Sequence, residues 1–364
     1  MNSIIRNCFE FINMKMCRRK HKAPFSLPFL LLWLTPECNL QCKMCGNSWR
    51  NQIFNENKLL SFNDWISVID SAKKLNTKVI SITGGEPLLF PKIFEILNYI
   101  NKSGISANLC TNGTLLTENN IIQLTKAKVK SFSISLDAPN AKLHNFIRGD
   151  DCFDKIISGL QKLKYAIPTA NISINFVINH LNYKKMVEMI QFGKELGVNK
   201  INFAPIHKNL QHKYKPDNEF QNLYFNKEDI FELTQELQKL KVAAKKAKMR
   251  ISSTRFLDGI SDFYTKINRQ QKCYAGYVSC SIDSWGNVSP CADINGTESI
   301  HNKSLELIWK SDEFRKLRGK VNNCNKPCWH TTDTELAIRC TINGLLSELP
   351  NVLKDYALYI KGRK

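Results

Sequence analysis

The chain has 364 residues, 43% hydrophobic and 23% charged, a balance that excludes a disordered chain and fits a globular protein of about two domains. Its formal charge is +20, but the basic residues are dispersed and mixed with Asn, as at Asn55, Asn57 and Lys58. That argues for a solvated basic surface over a nucleic-acid patch.

Residues 1–28 form an N-terminal extension. Ile4, Ile5, Cys8, Phe9, Ile12 and Met16 recur at helical spacing, and a basic run from Arg18 to Lys22 follows. The favoured reading is a helix capping the open bottom of the main domain. The alternative is an amphipathic helix lying on an anionic membrane surface. No secretory signal is visible, and the longest apolar run, residues 29–34, is too short to span a bilayer. With 13 Cys, such a chain points to metal binding in a reducing, cytoplasmic setting rather than to disulfides.

From residue 29 onward, short apolar runs alternate with helical patterns. Strands are predicted over 29–34, 79–83, 106–111, 131–136, 172–178 and 200–204. Helices are predicted over 61–75, 91–103, 117–127, 154–166 and 182–196. The first opens on Ser-x-x-Asp and the second on Pro. Six strands separated by helices of this size imply βαβ units and a parallel sheet, curled by right-handed crossovers. The predicted class is α/β, a partial (β/α)6 TIM-like barrel over residues 29–225, with its chemistry at the C-terminal ends of the strands. Residues 206–226 are polar and aperiodic, a loop or linker near the substrate side. Residues 226–269 form a linker region led by a helix over 226–248. Residues 270–345 are Cys-rich and hairpin-like, a smaller α+β domain, and 346–364 are a C-terminal tail.

Cys38-x3-Cys42-x2-Cys45 follows the first strand, and so lies at its C-terminal mouth. Three thiolates at this spacing can wrap one small inorganic cluster and leave one iron of a [4Fe–4S] cube without a protein ligand. A structural zinc ion would need a fourth Cys or His nearby, and none lies between residues 36 and 60. This pattern resembles the radical S-adenosylmethionine (SAM) superfamily. Met44 stands where most members have an aromatic residue before the third Cys. Gly84-Gly85-Glu86-Pro87 after the second strand looks like the family motif that meets the methionine amino group. Two glycines allow close backbone approach, and Glu86 can face an ammonium. The resemblance further implies SAM contacts at Asn112, Ser135, Asp137, Arg148, Asn175 and Ala204, with Arg148 pairing a carboxylate through two hydrogen bonds.

Cys273, twelve residues, Gly286, four residues, Cys291, then Cys324-x3-Cys328-Trp329 resembles the SPASM/twitch extension of the same enzymes. It implies one auxiliary [4Fe–4S] cluster on Cys273, Cys291, Cys324 and Cys328. The turn signal from Asp283 to Asn287 draws Cys273 and Cys291 together. Cys280 reads as buried and inert, Cys340 as a packing residue or spare ligand, and Cys8, Cys17, Cys110 and Cys152 as packing residues. The implied activity is reductive SAM cleavage followed by hydrogen abstraction from a peptide or a small polar metabolite, with a net oxidation or modification. The implied partners are an electron donor, such as a flavodoxin or ferredoxin, and that substrate. The 28-residue extension is too short for a leader-binding module. Two rival readings are a zinc-binding nucleic-acid module and a catalytically inactive radical SAM scaffold.

Overall fold

A computed structural model of the chain describes residues 3–45, 59–207, 222–269, 271–341 and 343–344. The predicted loop over 206–226 falls largely, and the C-terminal tail wholly, outside the described residues. Nine strands form one sheet in the order β7-β6-β5-β4-β3-β2-β1-β8-β9. β1 (Phe29–Thr35), β2 (Val79–Gly84), β3 (Ser106–Thr111), β4 (Ser131–Ser135), β5 (Asn171–Ile178), β6 (Lys200–Pro205) and β7 (Arg250–Ile251) are all parallel. The sheet has two open edges and is therefore an unclosed, partial barrel. The six predicted strands all form, and β7 is an addition within the predicted linker region.

The helices pack on one face of the sheet, and local chemistry sets where they start. α1 (Ser3–Arg19) precedes β1. α2 (Phe62–Lys74) opens on a capping box in which Ser61 and Asp64 satisfy each other's backbone N–H groups. α3 (Ile93–Lys102) follows a 3-10 turn over Pro87–Leu89, and α4 (Glu118–Lys126) is capped by Thr117. α5 (Ala141–Arg148) is a helix the periodicity did not reveal. Asn140 caps its start, and Gly149 ends it at φ 74°. α6 (Phe153–Ala166), α7 (Met186–Glu195), α8 (Asp229–Ala247) and α9 (Thr254–Thr265) complete this layer. Between helices and sheet lies one large apolar core containing Trp65, Phe132, Ile134, Ile174 and Phe203, all fully buried.

The Cys-rich region is joined to the barrel rather than separate from it. β8 (Ser279–Ile282) pairs parallel with β1, from Phe29 opposite Ser279 to Leu32 opposite Ile282. β9 (Val288–Ser289) turns back antiparallel through Gly286 at φ 83°. α10 (Leu305–Lys310), α11 (Asp312–Asn322) and α12 (Thr331–Arg339) follow, the first two capped by Ser304 and Ser311. α1 docks mainly on this region. Arg18 Nε donates to the Cys273 carbonyl at 2.8 Å, Asn322 Nδ2 donates to the Arg18 carbonyl at 2.8 Å, and Met14 lies among Tyr274, Tyr277 and Ala337. Lys78 at the base of β2 also pairs with Glu10 at 3.5 Å. Over its second half, α1 therefore packs mainly on the second region. Ile12 and Met16 stay exposed. No described helix is long and apolar enough to cross a membrane.

Candidate active site and cluster-binding cysteines

The cysteine loop leaves β1 at the C-terminal rim of the sheet. Cys38 is partly buried, Cys42 is buried and Cys45 is exposed, with Cys45 N–H donating to the Cys42 carbonyl at 3.0 Å. Burial pushes the Cys42 thiol up to about 12, against the pull of Arg148, while Cys38 and Cys45 push it further up. Burial also raises Cys38, and Cys45 acts in the same direction. The Cys45 thiolate thus opposes ionisation of both Cys38 and Cys42. A metal that replaces the protons removes that opposition, and three thiols on one loop are donors of the kind an iron–sulfur cluster takes.

Three sets of contacts hold the loop. Gly85 N–H donates to the Thr35 carbonyl and Glu86 N–H to the Glu37 carbonyl, both at 2.7 Å. A Cβ at Gly84 would lie 2.3 Å from the Thr35 oxygen, and one at Gly85 would lie 1.9 Å from the Glu37 oxygen. These glycines therefore let two backbone segments meet, a tighter demand than the ligand approach expected of them. On a second side, Asn112 Nδ2 donates to Asn39 Oδ1 at 2.9 Å, and Asn39 Nδ2 donates to Thr114 Oγ1 at 2.8 Å. On the third, Lys43 N–H donates to the Ile147 carbonyl at 3.0 Å, and Arg148 Nη1 reaches the Cys42 sulfur at 3.7 Å.

Glu86 and Arg148 both make hydrogen bonds or ion pairs within the chain. The fully buried Glu86 carboxylate accepts from Thr111 Oγ1 at 2.8 Å and from the N–H groups of Asn112 and Leu88 at 2.7 and 3.1 Å. Burial raises its pKa to about 7 despite these donors. Through these bonds its carboxylate ties β2 to β3. Arg148 pairs with Asp137 at 2.6 Å, and Asp137 also accepts from Val177 N–H at 2.8 Å. Arg148 thus satisfies a carboxylate of the chain itself, because burying either charge alone would be costly. His144 Nδ1 accepts from Asp137 N–H at 3.1 Å, and burial holds its pKa down near 3, so it stays neutral.

The other predicted positions line the inner face of the strands. Ser135 stands opposite Asn175, and Asn175 Oδ1 accepts from Asn202 Nδ2 at 3.0 Å. Ala204 stands opposite Val177 on β6, and Pro87 is buried at the start of its 3-10 turn. Below this rim runs a polar row. Asn108 Nδ2 donates to Ser81 Oγ at 3.0 Å, Ser131 Oγ donates to Asn108 Oδ1 at 2.8 Å, and Ser133 and Ser173 hydroxyls share a 3.0 Å bond. The alternation in Ser131-Phe-Ser-Ile-Ser and Asn171-Ile-Ser-Ile-Asn carried this signal. Asn39, Thr114 and His144 had no comparable signature.

In the second region Cys273, Cys291 and Cys328 come together. Burial pushes the Cys291 thiol well up and Cys328 up to about 12, and Cys273 adds to both. Arg269 Nη2 contacts the Cys328 sulfur, and Arg269 also acts on Cys273 and Cys324. Cys324 therefore belongs to the same neighbourhood. Among the described residues, ligand atoms of Asp293, Cys328 and His330 lie within 4.8 Å of one another, a group the sequence reading missed. His330 Nε2 is 3.0 Å from Asp293 Oδ2, and its ring stacks at 4.3 Å on His207, just beyond β6. Cys280 is buried in β8 as expected. Cys340 packs on Met14 with sulfurs 3.7 Å apart.

Comparison with known proteins agrees with this geometry. The model of the radical SAM superfamily matches residues 34–193, and that of the SPASM iron–sulfur cluster-binding domain matches residues 273–330. An AdoMet-dependent heme synthase of Methanosarcina barkeri is 28% identical over 81% of this chain and 86% of its own length. A Saccharolobus solfataricus protein named "Probable GTP 3',8-cyclase" is 31% identical over 49% of this chain and 56% of its own. Streptococcus suis SuiB, solved with its precursor peptide SuiA, shares the fold at TM-score 0.65 and 20% identity, over 85% of this chain and 70% of that one. A radical SAM domain binds a [4Fe–4S] cluster and SAM, and a SPASM domain binds auxiliary iron–sulfur clusters. The chain therefore belongs to the radical SAM superfamily, as an enzyme whose SAM-binding domain is followed by a SPASM domain.

Proposed function

We propose that the enzyme abstracts hydrogen from a polar substrate, a peptide side chain or a small polar metabolite, and that the net reaction is an oxidation or modification. The observation that carries this reading is the polar row of Ser81, Asn108, Ser131, Ser133 and Ser173 beneath the cysteine loop. These groups already pair with one another, and the hydrogen-bonding capacity left on their hydroxyl and amide atoms suits a polar substrate better than an apolar one. In this reading Cys38, Cys42 and Cys45 hold the [4Fe–4S] cluster to which SAM binds. Gly84, Gly85, Glu86, Pro87 and Asn112 fix the rim, while Ser135, Asn175 and Ala204 line the place for SAM. When bound, cluster and SAM together supply the carbon radical that takes the hydrogen atom. Arg148 and Asp137 brace the loop from below, and neutral His144 holds Asp137 without adding charge.

Cys273, Cys291, Cys324 and Cys328 are assigned to one auxiliary [4Fe–4S] cluster. A flavodoxin or ferredoxin is the proposed electron donor, and a reducing cytoplasm suits cysteines that are all free among the described residues. SuiB was solved with a precursor peptide, which supports the peptide branch of the proposal. A second reading, heme synthesis, is supported by the M. barkeri match extending over both domains. The test is anaerobic reconstitution, iron counting and SAM cleavage with a strong reductant. The reading expects about eight irons and 5′-deoxyadenosine from the wild type, and none from Cys42→Ala. Product formed by Cys42→Ala refutes the site.

A further inference from the structure

Among the described residues two arginines contact cysteine sulfurs, Arg148 buried and Arg269 partly buried, and they differ in one respect. Arg148 touches Cys42 while its charge is met by Asp137 at 2.6 Å. Arg269 touches Cys328, hydrogen-bonds Cys273 and acts on Cys324. Among the described residues, Arg269 makes no carboxylate ion pair. Of the acids nearby, Asp333 lies within electrostatic reach of Arg269, but neither it nor Asp293 forms an ion pair with it. Asp333 accepts from Ser279 at 3.2 Å, and Asp293 pairs with His330 at 3.0 Å.

A guanidinium stays charged, and enclosing it without an anionic partner is costly. Neutral thiols do not offset that charge. Metal-bound thiolates do, since ligation makes a cysteine a lasting anion. Hydrogen bonds to cluster sulfurs and the net charge around them set an iron–sulfur potential. A cation in direct contact with the sulfurs favours the reduced cluster. At the first site, Asp137 cancels the same effect.

We propose that Arg269 sets the reduction potential of the auxiliary cluster, raising it above that of the cluster at Cys38, Cys42 and Cys45. The auxiliary site then accepts the electron left on the substrate. This rests on the four-cysteine assignment and on the oxidative reading above. The substrate gives one hydrogen atom to the SAM-derived radical, one electron to the oxidised auxiliary cluster and one proton to water. It loses two electrons and two protons in all, and a new double bond or its hydrolysed equivalent results. The flavodoxin- or ferredoxin-type donor supplies one electron to SAM, and its oxidised form takes one back from the auxiliary cluster.

The test is an EPR-monitored redox titration of the full chain after anaerobic reconstitution, with iron and sulfide counted first. Arg269→Gln is expected to move the auxiliary midpoint to more negative potential and leave the SAM-binding cluster's midpoint unchanged. Arg269→Lys, which keeps the charge, is expected to move it less. With about eight irons present, an auxiliary midpoint unmoved in Arg269→Gln overturns the inference and leaves the four-cysteine assignment standing. If Arg269→Gln assembles only about four irons, Arg269→Lys decides, and an unmoved midpoint there overturns the inference. A wild-type protein with only about four irons overturns the assignment and this inference together.

Discussion

Gly85→Ala offers a direct test of how the rim of β2 holds the cysteine loop. The added Cβ would sit 1.9 Å from the Glu37 oxygen, 2.4 Å from its carbonyl carbon and 2.7 Å from the Pro36 oxygen. Ordinary contact begins at 3.4 Å, so the Glu37 carbonyl must retreat by 1.5 Å. All three atoms are backbone, so no side chain can turn aside. The retreat also breaks the 2.7 Å bond from Glu86 N–H to that carbonyl, one residue before Cys38. Overpacking of this kind costs about 1–3 kcal/mol, which leaves most of the fold standing. Displacement of a reacting group by about 1 Å can cost roughly 100-fold in rate. The expected outcome is a small drop in Tm with SAM cleavage down by about that factor. Both are measured on the same anaerobic preparation. Wild-type cleavage in Gly85→Ala would show that the loop does not depend on this backbone contact.

Arg148→Met strands Asp137 as a buried charge and should cost about 3–5 kcal/mol, read by urea unfolding. Arg148→Met combined with Asp137→Asn should recover much of that loss, and no recovery would break the pairing argument. Glu86 binds its proton more tightly in the folded state, with a pKa raised from 4.5 to about 7. Its stabilising contribution is therefore full below pH 4.5 and is lost as pH climbs through about 7. The loss is about 3 kcal/mol, so Glu86→Gln should show a flatter fall in unfolding free energy between pH 5 and 8. Equal slopes in the two proteins refute that origin. Ser61→Ala removes the oxygen that accepts from Asp64 N–H and should lower stability by about 1 kcal/mol. An unchanged urea midpoint would mean the cap contributes nothing.

Six strands of the barrel were legible because each is a short apolar or alternating run between turn signals, and α2 because Ser61 and Asp64 are an explicit start signal. α5 was hidden, since eight residues give little more than two turns of pattern. Its ends are marked only by Asn140 and Gly149. The cysteine triplet was legible from spacing alone. The internal bonding of Glu86 was not, because its donors come from Leu88, Thr111 and Asn112, and two of these lie on another strand end. The same holds for Arg148 and Asp137, whose roles depend on a helix that spacing did not reveal. The pairing of β8 with β1 joins residues about 250 positions apart, and no local pattern encodes such an encounter.

β1 is bordered by β2 on one edge and by β8 on the other. One strand thus anchors the loop of Cys38 and the region that carries Cys273, so both move as one rigid spine. Two lobes linked by a hinge could vary the gap an electron must jump, and this scaffold holds the gap constant. A swing of whole domains would have to unzip the sheet between β1 and β8.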